Sequence, residues 1–379
     1  MTTPGGRPEP LQLSHAEGIL KNQPSGEDTG LDQAYRRFLI VRTDRIGDVI
    51  LTLPMARVLK KCRPGAHVAM LVQSYTSELV SADPNVDQVI SVDSHCPPYA
   101  RTVAELRRAN FDVVFHTHPR PRLALITALA GIPVRVGTGY RWYSFLFNRR
   151  VYEHRKDALK HELEYNLNLL RAVGCDAPWG DVRPRIDVEE AHMVKARRAL
   201  ADAGVPPGAK LAILHPGSGA SARDWSPDNF AALASILAAH DGLAVLLTGG
   251  KGEERLVAGI RALCPPEVRS IVGSLGIREY AALAKLASVF IANSTGPLHI
   301  AAAVGTPVIG LYPQIRPLSA PRWGPYTDRK TVFTPKGFPE DCSRCVGTRG
   351  SRCECMDSIP PGDVHDAAMR LLGAEAGVS

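Results

Sequence analysis

Asn293-Ser-Thr-Gly-Pro-Leu-His299, running on into Ile300-Ala-Ala-Ala-Val-Gly-Thr-Pro307, decides how this chain folds. The apolar residues 289–292 before it read as a buried strand. A short helix is predicted to start at Pro297, a first-turn position where the missing N–H would be unpaired anyway. Ser294 and Thr295 are candidates to cap it. Gly305 ends it, and residues 307–311 read as the next buried strand. The free N–H groups and positive dipole end of such a helix suit an anion. Gly296 lets a ligand approach the backbone, and His299 falls in the first turn. A phosphate is expected here.

The same strand–turn–helix unit recurs outward from this point. Residues 38–43, 67–72, 86–92, 112–116 and 134–137 read as short buried strands, with helical or loop segments between them. Residues 44–48 read as a polar turn and 49–61 as one helix, with Pro54 near its start or at a kink. Gly174, Pro178, Gly180 and Pro184 then interrupt the pattern. It restarts with a helix at 189–203 and continues as strands at 210–214, 243–248 and 268–272. Helices at 227–239, 253–263 and 277–286 alternate with them. Such alternation predicts an α/β protein with parallel sheets covered on both faces. The expected organisation is a disordered tail at 1–34, a doubly wound domain at 35–176, a linker at 177–188 and a second doubly wound domain at 189–379. The two would face each other across a cleft.

The bulk properties narrow the function. The chain has 379 residues, 45% hydrophobic, with a formal charge of +7, which favours acidic partners such as phosphorylated sugars or anionic lipid surfaces. Aromatics make up 6% and no basic run is interleaved with them, so nucleic-acid readout is not expected. No apolar run reaches the roughly 20 residues needed to span a bilayer, and the start lacks a secretory pattern. A cytoplasmic location is expected, with surface attachment to a membrane left open.

Gly47 and Asp48 fall where the first strand ends, the edge at which open α/β sheets bind ligands. One glycine does not make a dinucleotide fingerprint. Asp48 reads either as a base for an incoming hydroxyl or as a helix cap. His215-Pro-Gly-Ser-Gly-Ala-Ser-Ala-Arg-Asp-Trp225 is a small-residue loop whose N–H groups can wrap a phosphate, with Ser218 and Arg223 beside it. Glu253, after Thr248-Gly-Gly-Lys-Gly252, can accept from a ribose or base, or can be a first-turn acid. Together the loops 215–223, 249–253 and 294–299 suggest a nucleotide diphosphate held by backbone N–H groups, Arg223 and His299. No Asp-x-Asp pair suggests a metal there. Arg45, Arg120 and Arg122, among several basic residues near predicted strand ends, read either as a site for an anionic acceptor or as a solvated basic face. Cys342, Cys345, Cys353 and Cys355 read either as a structural zinc site or as reduced thiols.

These stretches carry a family resemblance. Leu39-Ile-Val-Arg-Thr-Asp-Arg-Ile-Gly-Asp-Val-Ile-Leu-Thr-Leu-Pro54, His215-Pro-Gly-Ser218 with the basic residue before Trp225, and Ser294-Thr-Gly-Pro-Leu-His-Ile-Ala-Ala-Ala303 resemble glycosyltransferase family 9, the ADP-heptose:lipopolysaccharide heptosyltransferases. The resemblance implies a GT-B fold with two Rossmann-like domains, acceptor side first and nucleotide-sugar side second. It implies inverting, metal-independent sugar transfer with no required cofactor. Asp48 falls at the family's base, Arg223 at its basic donor position, and Thr295, Gly296 and His299 at its pyrophosphate site. Glu253 falls at the adenosine-side acid. The implied partners are ADP-heptose and an anionic glycolipid, the lipopolysaccharide inner core, met at the cytoplasmic face of the inner membrane. Ser294 departs from the acid found in many members, which leaves open another nucleotide sugar or glycan acceptor, or a GT-B sugar-nucleotide 2-epimerase.

Overall fold

The computed structural model describes residues 34–93, 99–176, 182–219, 222–337 and 354–374. Among the described residues, twelve strands form two parallel six-stranded sheets. In the first are β1 Arg37–Val41, β2 His67–Gln73, β3 Gln88–Val92, β4 Val113–His116, β5 Val134–Thr138 and β6 Arg149–Val151. In the second are β7 Lys210–His215, β8 Leu243–Gly249, β9 Arg269–Val272, β10 Val289–Asn293, β11 Val308–Leu311 and β12 Lys330–Phe333. Their orders are β3-β2-β1-β4-β5-β6 and β12-β11-β10-β7-β8-β9. Each is a doubly wound sheet. The chain reverses its winding between β1 and β4 in one and between β7 and β10 in the other, where α/β sheets open a ligand crevice.

The central strands follow from their residues. Phe38-Leu-Ile-Val41 of β1 is buried on both faces, as expected of a run with no polar alternation inside a covered parallel sheet. The outer strands β6 and β12 carry Arg149-Arg150 and Lys330, so no apolar run announced them. They are edge strands, with half-exposed side chains.

The helix expected over 49–61 is two. Ile46–Ile50 forms a short helix, and Pro54 opens a second, Pro54–Cys62, at a first-turn position that needs no N–H. The Thr52 hydroxyl donates to the Asp48 carbonyl at 2.7 Å across the break. Asp48 therefore lies in a helical turn rather than in a polar loop.

The two sheets meet along a packed seam. Ile50 and Leu79 from the first half share a core with Phe290, Leu298 and Tyr312 of the second. Trp323 and Tyr326, between β11 and β12, pack back on the first sheet's core. No helix among the described residues is long and apolar enough to cross a membrane.

Candidate active site

Two helix starts face each other at the seam. Ile46–Ile50 begins just after β1, and Gly296–Ala303 just after β10. Both first turns contain glycine, and space is the reason. A Cβ on Gly47 would lie 2.8 Å from Cδ2 of the buried His299 ring, and one on Gly296 would lie 3.1 Å from Cβ of Ile46. Only hydrogen side chains let the halves close this far. Gly47→Ala should therefore wedge the seam. Overpacking of this kind costs about 1–3 kcal/mol. We expect a lower melting temperature in calorimetry and a larger proportional loss of kcat than of stability.

Asp48 is held by a buried ion cluster. Arg42, at the end of β1, is 1% exposed and pairs with Asp44 at 2.7 Å, with Asp48, and with Glu162 at 3.2 Å. Glu162, 2% exposed at the start of the helix Glu162–Asn168, also takes Arg155 at 2.5 Å. From the second half, Arg322 reaches it at 3.1 Å. Burial works to raise the Glu162 carboxyl, but Arg155, Arg42 and Arg322 bring it down to about 2. Asp48 behaves oppositely. Burial pushes it up to about 6 against the pull of Arg42, helped by repulsion from Asp44 and Glu162. One cluster thus holds a firmly ionised carboxylate and a basic one, the pattern of an acid–base site. Asp48 does not cap its helix; Arg45 stands at that position and offers no side-chain cap.

On the other side of the seam, Asn293 at the end of β10 fixes the 215–225 loop. Its amide donates to the Pro216 carbonyl at 2.7 Å and its oxygen accepts from the Trp225 N–H at 3.0 Å. His215 is buried, with Nδ1 3.0 Å from both the Thr248 and Tyr280 hydroxyls, and burial lowers its pKa to about 4. Glu253 lies over Gly217, where any Cβ would collide with its carboxylate at 1.9 Å. It accepts from the Gly250 N–H at 2.7 Å. Glu253 is the residue before the helix Glu254–Ala262 and so is neither inside its first turn nor a side-chain cap. Ser218 and Arg223 are buried in the same loop. Ser294 bonds the Tyr312 phenol. Thr295 precedes the helix Gly296–Ala303 but supplies no side-chain cap, contrary to the capping expected of it and of Ser294. That helix starts at Gly296, one residue before the expected Pro297. The loops after β7, β8 and β10 thus gather at one sheet edge, opposite Asp48.

Comparison with known proteins decides the family. The profile of glycosyltransferase family 9 (heptosyltransferase) matches residues 99–350. A Haemophilus influenzae relative, named only as a glycosyltransferase, is 30% identical over 313 residues, 80% of this chain and 90% of its own. The chain belongs to glycosyltransferase family 9. Lipopolysaccharide heptosyltransferase 3 of Escherichia coli is 26% identical, over 86% of this chain and 96% of that one. The solved structure of E. coli ADP-heptose lipopolysaccharide heptosyltransferase II superposes with a TM-score of 0.75 at 20% identity, covering 90% of this chain and all of that one. The fold of this family 9 glycosyltransferase is GT-B.

The acceptor candidates of the family 9 chain separate. Arg45 is exposed beside Asp48, and Arg120 follows β4 close to His118, whose Nδ1 is 3.4 Å from Asp44. Arg122 turns aside, its guanidinium 4.3 Å over the Tyr99 ring. Among the cysteines considered for zinc, Cys342, Cys345 and Cys353 lie outside the described residues, and Cys355 is buried in the second core. Among the described residues no three His, Cys, Asp or Glu are grouped to hold a metal.

Four residues that enter the site of this glycosyltransferase were not singled out from the sequence. Arg42 stands out in the sequence only as a basic residue at the end of a strand. Glu162 and Arg322 lie 120 and 280 positions beyond Arg42 with no spacing to link them. Asp224 accepts from Ser218, and burial raises it to about 6. In the sequence its neighbour Arg223 is the more conspicuous residue, because a basic side chain suits a phosphate.

Proposed function

We propose that this glycosyltransferase moves heptose from ADP-heptose to a lipopolysaccharide inner-core acceptor, with inversion and without a metal. The observation that carries the reading is Asp48, a raised-pKa carboxylate across the seam from an N–H-rich helix start. A hydroxyl held between them would lose its proton to Asp48 as it attacks the anomeric carbon. The leaving diphosphate would be stabilised by the backbone N–H groups at Thr295 and Gly296, by the helix dipole and by Arg223. Burial and the nearby His161 lower His299 to about 3, so it acts as a neutral hydrogen-bond partner rather than a cation. Glu253 would take the nucleoside side. Ser218 would line the donor loop, and Ser294 would meet the sugar. Arg45 and Arg120 would meet acceptor phosphates, with Arg122 at the margin. The names of the E. coli relatives support the donor and the acceptor class.

The test is ADP release from ADP-heptose in EDTA, with and without a Kdo-lipid A acceptor. Acceptor-dependent release is expected, at an unchanged rate in EDTA. Release that collapses in EDTA and returns with a divalent ion would overturn metal independence. A folded protein that binds ADP yet releases none would point to another sugar or acceptor.

A further inference from the structure

The loop after β5 shows its largest apolar side chains to solvent. In Arg141-Trp-Tyr-Ser-Phe-Leu-Phe147, Tyr143 and Phe147 are buried, while Trp142 is 80% exposed and Phe145 67% exposed. The alternation is structural. Tyr143 and Phe147 pack with Ala124 of the helix Pro121–Leu129 and fix the loop from below. Arg150 donates to the carbonyls of Ser144 at 3.0 Å and Phe147 at 3.1 Å, and Arg135 donates to that of Leu146 at 2.8 Å. A loop with its backbone braced by two guanidiniums is not collapsing to hide its aromatics. It is built to hold them out.

The charge along this stretch of chain has one sign. From Val113 to Tyr152 the chain contains six arginines, at 120, 122, 135, 141, 149 and 150, and no aspartate or glutamate. An apolar tip on an acid-free stretch, preceded by the exposed Arg141 and braced by Arg135 and Arg150, matches the chemistry of an anionic bilayer surface. Its position also fits. The loop leaves the C-terminal edge of the first sheet, the edge that carries Asp48, with only β4 between β5 and β1.

We propose that Trp142 and Phe145 insert into the headgroup region of an anionic membrane, with Arg141 against lipid phosphates. Docking there would bring the seam to the bilayer surface. The proposal rests on the functional reading for its purpose, a glycolipid acceptor, but its evidence is separate.

The test is co-sedimentation of the full chain with vesicles of phosphatidylethanolamine alone or with phosphatidylglycerol. It is paired with transfer to a lipid-free core oligosaccharide. Wild type is expected to bind the phosphatidylglycerol vesicles and to release as salt rises. Trp142→Ser with Phe145→Ser should lose binding at least tenfold, and Arg141→Glu should lose it in part. Both variants should keep wild-type melting and activity on the soluble acceptor. If neither wild type nor variant transfers heptose while vesicle binding still depends on the loop, docking stands and the heptosyl reading fails. No vesicle binding by wild type, or binding unchanged in the double variant, overturns the proposal. So does a wild-type dimer that the double variant dissolves with no effect on lipid, which would assign the face to a second copy of the chain. Loss of soluble-acceptor activity in a folded double variant also overturns it.

Discussion

Asp48→Asn should cut kcat by roughly 10²–10⁴, the usual worth of a general base, while the donor Kd stays within about twofold. The split follows from the seam. Asp48 belongs to the first half, whereas the loops around Asn293, Ser218 and Glu253 belong to the second and are anchored without it. The variant should also be no less stable at neutral pH. Asp48 has a folded pKa of about 6 against 3.8 for the free side chain, so the fold disfavours its charge. The folded state then binds the proton more tightly, and stability from this group is lost as pH rises from about 4 through 6. An uncharged amide removes that penalty. Loss of turnover with melting at or above wild type is the expected pair of results, by stopped assay and calorimetry. A stable Asn variant with near-normal kcat would remove Asp48 from the chemistry.

Glu162→Ala should do the most structural damage. It removes the anion shared by Arg42, Arg155 and Arg322, and Arg42 is almost wholly buried. Removing one partner of a buried pair costs up to about 3–5 kcal/mol, and here less, because Arg42 keeps Asp44 and Asp48. Denaturant titration should show a lower midpoint with an unchanged slope. The gentler Glu162→Gln tests a second consequence. Glu162 repels charge on Asp48 and so helps raise its pKa; without that charge Asp48 ionises at lower pH. The acid limb of kcat should shift downward. The stability profile should flatten too. Glu162 has a folded pKa of about 2 against 4.5, so it stabilises above about 4.5 and that contribution fades as pH falls toward 2. Gln lacks this acid-sensitive part. Arg322 is the only one of these partners from the second half, so the Asp48 cluster is linked electrostatically across the seam through Glu162.

Much of this was legible because the central strands are continuous apolar runs and the loops after them carry small residues. Residues 38–43 and 289–292 announced β1 and β10, and the three glycine-bearing loops fell together because β7, β8 and β10 are neighbours in one sheet. What the sequence hid was set by contacts between distant residues. Pro54 marked a boundary, but only the packing of Ile50 and the Thr52 bond show that the turn before it is helical. Glu162 looks like any first-turn acid; its burial among three arginines depends on both halves meeting. Gly47 falls in a stretch that reads as a polar turn, yet its backbone is helical and its role is closeness to His299. The edge strands β6 and β12 carry too much charge for an apolar pattern to reveal them.

The most direct measurement is the single-turnover rate of heptose transfer against pH, with donor preloaded, for wild type beside Asp48→Asn. If Asp48 is the base, the wild-type rate falls about tenfold per pH unit below about 6, and the Asn rate is low and flat over that range. An Asn variant that keeps the wild-type limb, or a wild-type rate that stays level down to pH 4.5, would contradict it.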